Sequence, residues 1–97
     1  MNVQCRREGL CLIVSITGEL DHHTCESARH IIDDEYNQQG ALHIIFDFHK
    51  IDFMDRSGIG LIMGRYKKAS LLGGQVILTH ISPQLDRIFA LSGLYKI

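Results

Sequence analysis

The chain has 97 residues, 45% of them hydrophobic and 22% charged, which is typical of one soluble domain with a single core. Ten Lys and Arg residues against eleven Asp and Glu residues give a formal charge of -1, without the basic surplus that nucleic-acid binding requires. No stretch reaches the roughly 20 apolar residues of a membrane span, so we expect one cytoplasmic domain over residues 1–97 that binds neither nucleic acid nor membrane.

The first segment predicts a β-hairpin followed by a helix. Val3–Cys5 and Leu10–Thr17 are rich in strand formers and flank the short polar loop Arg6–Gly9. Asp21 is expected to be the N-cap of a first helix, which Gly40 ends. Helical spacing predicts one buried stripe along this helix, formed by Cys25, Ala28, Ile31, Ile32 and Tyr36.

The middle of the chain predicts a strand and a second helix. Leu42–Phe48 is a short run of strand formers, typical of a central strand covered on both faces. His49–Asp55 is expected to be a connection, after which Ser57 opens a helix that ends before Gly73. Apolar residues recur along this helix at steps of three and four, namely Ile59, Ile62, Met63, Tyr66 and Ala69.

The last segment predicts a fourth strand and a third helix. Gln75–His80 alternates in polarity, and Ser82 with Pro83 is typical of an N-cap followed by the first helical residue. Gly93 is expected to end the helix, whose inner stripe is Leu85, Ile88 and Phe89. The element order β-β-α-β-α-β-α predicts an α/β domain, a mixed β-sheet with helices packed on it.

The strongest local signal for chemistry is Ser57, which a strand-to-helix connection places in the first turn of the second helix. Free N–H groups and the helix dipole favour an anion there, so a phosphate on Ser57 could be held with Arg56 as an ion partner. The alternative is that Ser57 only caps the helix.

Three glycines on the same helix need a reason, because an interior glycine costs about 1 kcal/mol relative to alanine. Gly60 and Gly64 fall on one face, and Gly58 lies beside Ser57. Tight packing on a neighbouring element and a bare surface for a partner's backbone are both open readings.

Metal and hydrolytic sites are weak readings of this sequence. Asp21, His22 and His23 invite a metal site or, with Ser57, a small hydrolase, but adjacent histidines at a helix start are expected to diverge. Ser57 lies outside a Gly-x-Ser-x-Gly motif. We therefore expect no catalytic residues, no metal and no cofactor.

The three cysteines and a basic run have ordinary structural explanations. The cysteines are odd in number, form no CxxC motif and lie in apolar patterns. This indicates thiols that stay reduced and pack against apolar residues. Arg65-Tyr66-Lys67-Lys68 is typical of a solvated face near a helix C-terminus, with an acidic partner as the alternative.

Six spaced motifs resemble the STAS-domain anti-sigma-factor antagonists, in register over nearly the whole chain, and are similar to the sporulation branch that opposes the anti-sigma factor of sigma F. Together they are more specific than any one alone. They are Gly18-Glu19-Leu20-Asp21-His22-His23-Thr24, Phe53-Met54-Asp55-Arg56-Ser57-Gly58-Ile59-Gly60, Gly64-Arg65-Tyr66-Lys67, Gly73-Gly74, Ile81-Ser82-Pro83 and Ser92-Gly93-Leu94.

The resemblance implies a STAS-like fold and a protein-binding switch. The unphosphorylated antagonist binds an anti-sigma factor that is also a serine kinase, and so frees a sporulation-type sigma factor. Phosphorylation at the start of the second helix switches it off and a serine phosphatase restores it, while the kinase holds the nucleotide. The expected partner-binding residues are Asp21, His22, Asp55, Arg56, Ser57, Gly58, Gly60 and Gly64.

The sequence departs from the family pattern at two places. The family usually reads Asp-Ser-Ser-Gly or Asp-Ser-Thr-Gly and phosphorylates the first hydroxyl, a position that Arg56 occupies here. Either Ser57 is the phosphoacceptor, or the chain is a STAS scaffold or interaction subunit without phosphoryl control. Relatives usually continue into another strand and helix beyond the position of Ile97, so a clipped chain or a shortened member is expected.

Overall fold

A hairpin opens the chain in the computed structural model, which describes residues 1–96. Strand β1 (Asn2–Glu8) pairs antiparallel with β2 (Cys11–Leu20). The predicted loop at Arg6–Gly9 is wrong, because Arg6 and Arg7 continue the pairing and only two residues turn the chain. β1 is an edge strand whose polar side chains remain exposed, so its polarity resembled that of a loop.

Helix α1 (Cys25–Gln39) begins later than predicted. Thr24 is its N-cap, whereas Asp21 accepts hydrogen bonds within the turn that precedes the helix. Gly40 ends the helix in the left-handed conformation, as expected. Ile31 is 40% exposed and lies outside the buried stripe, which consists of Ala28, Ile32 and Tyr36.

Strand β3 (His43–Met54) is the longest element of the sheet and pairs parallel with β2. The predicted connection over His49–Asp55 is therefore wrong, since only Asp55 separates β3 from the next helix. The pairing continues past two register shifts near Thr17 and Gly18. Such irregularities break the alternation by which a strand is recognised in sequence.

The prediction that this central strand is covered on both faces is also wrong for the described residues. Ile44, Phe46 and Phe48 are at most 2% exposed and join the buried residues of all three helices in one core. On the opposite face, Ile45 pairs with the half-buried Ile13 and with Ile77, which is 44% exposed. The helices thus cover one face of the sheet.

The remaining elements are α2 (Arg56–Leu71), β4 (Val76–Thr79), α3 (Pro83–Ser92) and a 3-10 turn, Leu94–Lys96. β4 pairs parallel with β3, so the strand order is β1-β2-β3-β4. This confirms the predicted order β-β-α-β-α-β-α and the mixed sheet. None of the helices within residues 1–96 is long and apolar enough to cross a bilayer.

Candidate functional site

The candidate site lies where β2 and β3 end. The two strands run parallel, and their last residues, Leu20 and Met54, are paired and buried. The chain segments that follow them therefore start side by side at one edge of the sheet. The N–H of Asp55 donates to the carbonyl of Leu20 at 3.3 Å, so Asp21 and Asp55 begin neighbouring loops.

The carboxylate of Asp55 joins these two loops. One oxygen accepts from the N–H of Ser57 at 2.8 Å, and the other accepts from the N–H of His22 at 3.2 Å. The imidazole Nδ1 of His22 lies 3.8 Å from the same carboxylate. Asp55 is thus the N-cap of α2, and it also connects its own loop to His22, which lies 33 positions earlier in the chain.

This arrangement overturns the alternative in which Ser57 caps the helix. Asp55 performs the capping, and Ser57 is the second residue of α2. Its side chain is half-buried, and within residues 1–96 no hydrogen bond to its hydroxyl is found. Arg56, the first helical residue, is exposed. The hydroxyl of Ser57 therefore remains available at the positive end of the helix dipole.

Asp21 organises the neighbouring loop. Its carboxylate accepts from the N–H groups of His23 and Thr24 at 2.9 and 3.1 Å. Desolvation raises the pKa of Asp21, but these hydrogen bonds outweigh it, so the pKa lies below its ordinary value. Asp21 is therefore an ionised loop anchor near neutral pH, half-buried and adjacent to the exposed His22.

The histidine pair does not diverge, contrary to the sequence-based expectation. The rings of His22 and His23 lie with centroids 3.9 Å apart, because both residues belong to a turn before α1 begins. Among residues 1–96, no three His, Cys, Asp or Glu side chains are grouped to hold a metal ion. His43 instead accepts from the N–H of Gln75, and His80 pairs with Asp47 at 3.0 Å.

The three glycines of α2 have two different roles. A Cβ at Gly58 would lie 2.4 Å from Cγ of Met54 and 3.2 Å from the carbonyl oxygen of Leu20. At Gly60 and Gly64, no atom of residues 1–96 outside the adjoining stretch of the helix itself lies within 4 Å of such a Cβ. Gly58 therefore permits close packing of α2 on the strand ends, while Gly60 and Gly64 leave a bare helix surface.

A groove between α1 and α2 adjoins Ser57 and was not predicted from the sequence. The groove has a volume of about 190 Å³. The spacing of Ser57 and Arg65 in the sequence could have indicated the groove, because residues eight positions apart lie on the same side of a helix. We call it the α1–α2 groove, and its lining residues are Cys25, Glu26, Arg29, Ser57, Gly60, Leu61 and Arg65.

Arg65 is buried in this interface instead of lying on a solvated face. Its side chain is 10% exposed, and its Nε is 3.1 Å from Oδ1 of Asp33. Burial lowers the pKa of the Arg65 guanidinium. The Asp33 carboxylate raises this pKa in part, and the nearby Arg29 lowers it further. Lys68 and Arg29 also approach Asp33, at 3.5 and 3.8 Å.

The three cysteines are free and half-buried, as predicted. Burial, followed by the carboxylates of Asp55 and Asp21, raises the pKa of the Cys25 thiol to about 11 from an ordinary value of 9.0. At any pH below both pKa values, a shift of this size reduces the thiolate fraction by about 100-fold.

We expect iodoacetamide to alkylate Cys25 about 10-fold more slowly in the folded protein than in denaturant, because only the thiolate reacts and the higher nucleophilicity of a thiolate of high pKa offsets part of its lower abundance. Peptide mass spectrometry after timed quenching, at mildly alkaline pH, measures the rate for each cysteine. The denatured chain is the control. A folded-state rate equal to the denatured rate would show that the thiol is not suppressed.

Comparison with known proteins places these features in a family context. The STAS domain matches residues 2–97. The anti-sigma F factor antagonist of Paenibacillus polymyxa is 40% identical over 86 residues, which is 89% of this chain and 74% of that protein. The anti-sigma F factor antagonist of Lysinibacillus sphaericus is 36% identical over 83 residues, 86% of this chain and 71% of that protein.

Solved structures give the same result. The unphosphorylated anti-sigma factor antagonist SpoIIAA is 32% identical with a TM-score of 0.77, over 92% of this chain and 82% of that one. The phosphorylated form of SpoIIAA, a Bacillus cell fate determinant, is 33% identical with the same TM-score, over 98% of this chain and 86% of that one.

Proposed function

Because the chain belongs to the STAS-domain family, we propose that it is an anti-sigma-factor antagonist that binds an anti-sigma factor through the surface around Asp55 and Ser57. The observation that carries this proposal is the double role of the Asp55 carboxylate, which holds His22 and the start of α2 together. The result is a fixed surface with an unengaged hydroxyl. No bond-breaking chemistry is needed for this role.

The relatives support a particular partner. Two of them, at 40% and 36% identity, are anti-sigma F factor antagonists. We propose that the partner is an anti-sigma factor of the sporulation type that is also a serine kinase, and that its capture releases the sigma factor. A serine phosphatase would complete the cycle, and we place all of these events in the cytoplasm.

We further propose Ser57 as the phosphoacceptor. Its hydroxyl stands at the N-terminus of α2, where free N–H groups and the dipole favour an anion. SpoIIAA exists in a phosphorylated form. A phosphate adds about -1.5 to -2 charges beside the Asp55 carboxylate, and its desolvation in an interface opposes docking. A coupling of about 2 kcal/mol corresponds to roughly a 30-fold loss of affinity.

We expect Ser57→Asp to weaken binding to the anti-sigma factor by roughly 30-fold, while Ser57→Ala binds like the parent protein. Titration calorimetry with the purified anti-sigma factor measures both. Incubation with ATP and this factor should add one phosphoryl group, mapped to Ser57 by mass spectrometry. Equal affinities of the two variants, together with no mass gain, would contradict phosphoryl control.

One observation favours a second function, a STAS scaffold without phosphoryl control. Arg56 is exposed on the first turn of α2, beside Ser57, and could neutralise a phosphate there and so weaken the switch. In that case the chain would bind other STAS chains rather than a kinase. Size-exclusion chromatography with and without the anti-sigma factor separates the two functions, since only the antagonist forms the mixed complex.

A further inference from the structure

We infer that the α1–α2 groove binds a carboxylate side chain of the anti-sigma factor, which Arg29 and Arg65 hold beside Ser57. This inference rests on the proposed function and names the chemistry of one contact within it. The groove adjoins Ser57 and Gly60, so a partner docked on the start of α2 also covers the groove.

The lining of the groove has one more cation than anions. Arg29 and Arg65 are its two positive side chains and Glu26 is its one negative side chain, which gives the lining a net charge of +1 and favours an anionic occupant. Glu26 is paired with Arg29 at 2.6 Å. Behind the lining, the carboxylate of Asp33 is approached by Arg29, Arg65 and Lys68.

The guanidinium of Arg65 has unused donors. The residue is 8% exposed, and its Nε and Nη1 are buried without a hydrogen-bond partner in the described part of the chain. Nε of Arg65, 3.1 Å from the carboxylate of Asp33, therefore forms an ion pair with it but lacks the alignment of a hydrogen bond. Buried donors without acceptors are costly, and a carboxylate held beside the guanidinium would offset part of that cost through the charge.

The shape of the groove gives a protein access to the exposed tenth of the Arg65 side chain. Gly60 is exposed, and nothing lies within 4 Å of the position its Cβ would take. A partner's backbone can therefore approach α2 closely enough for an Asp or Glu side chain to enter between the helices. The contact belongs to a protein partner because Gly60 continues the surface formed by Ser57.

A matched pair of arginine variants tests the charge. We expect Arg29→Gln to weaken binding to the anti-sigma factor by about 10-fold and to reduce its salt dependence. Arg6→Gln is the control, because Arg6 also pairs with a glutamate at 2.6 Å but lies on β1. Its expected affinity is that of the parent protein.

A second variant tests the shape without endangering the fold. Gly60→Ala adds one methyl group in open space, so its thermal stability should equal or exceed that of the parent. We expect its affinity to fall by about 10-fold because the methyl group occupies the approach to the groove. Ser70→Ala, at an exposed position of the same helix, should leave affinity unchanged.

Charge reversal identifies the partner's group. Arg29→Glu should bind poorly, and one Asp→Lys or Glu→Lys variant of the anti-sigma factor should restore its binding. If the parent protein binds the anti-sigma factor but Arg29→Gln and Gly60→Ala bind equally well, the groove inference alone is overturned. If the parent protein itself does not bind, the proposed function and this inference both fail.

Discussion

Gly58→Ala is expected to lower the free energy of unfolding by about 3 kcal/mol. The added Cβ would lie 2.4 Å from Cγ and 2.9 Å from Sδ of Met54, and 3.2 Å from the backbone oxygen of Leu20. Met54 is 2% exposed and has little room to move. Relief of the clash therefore requires Met54 to repack within the core or α2 to shift away from the strand ends, and a shift of α2 would strain the hydrogen bonds of Asp55. Urea denaturation measures the loss.

Gly64→Ala is the matched control for this change. Gly64 lies on the same helix, but its Cβ would meet no atom within 4 Å. Because alanine favours a helix by up to about 1 kcal/mol over glycine, this variant should be as stable as the parent or more stable. A similar loss of stability in both variants would mean that close packing at Gly58 is not the cause.

Phe89→Ala should lower the free energy of unfolding by about 4 kcal/mol. Phe89 is fully buried, and its ring centroid lies 5.8 Å from that of Phe48 and 6.1 Å from that of Tyr95. It is one of two buried residues in the ten-residue helix α3, so its loss leaves a cavity beneath that helix. Thermal unfolding with circular dichroism detects the change.

Leu91→Ala is the control for Phe89. Leu91 belongs to the same helix but is 83% exposed, so its truncation should change stability by no more than about 0.5 kcal/mol. The affinity for the anti-sigma factor should survive in folded Phe89→Ala, because α3 contributes no residue to the α1–α2 groove. A stability loss below about 1 kcal/mol would contradict the packing role of Phe89.

Local capping signals made much of the fold predictable from sequence. Ser82 accepts from the N–H of Leu85, Pro83 is the first helical residue and Gly93 ends α3 in the left-handed conformation. Each of these residues acts on its immediate neighbours, so its effect is visible without knowledge of distant contacts. The sequence also predicted a binding site around Asp55 and Ser57, which stays a prediction, and in the structure His22 donates a hydrogen bond to Asp55 there.

Features that depend on distant residues were not predictable in the same way. The last part of β3 is a strand because it pairs with Thr17–Leu20 across two register shifts, which no local pattern shows. Arg65 lies in a run of charged residues typical of a solvated surface, and only Asp33 on another helix explains its burial. The sequence alone did not distinguish Asp55 from Ser57 as the N-cap of α2, because both residue types are common at that position. In the structure the cap is Asp55.

The parallel pairing of β2 with β3 affects how the proposed partner-binding surface responds to thermal fluctuation. The N–H of Asp55 donates to the carbonyl of Leu20 and the N–H of His22 donates to the Asp55 carboxylate, so opening one loop breaks a contact of the other. Because the N–H groups of His22 and Ser57 both donate to the Asp55 carboxylate, we expect their amide hydrogens to exchange with similar protection factors.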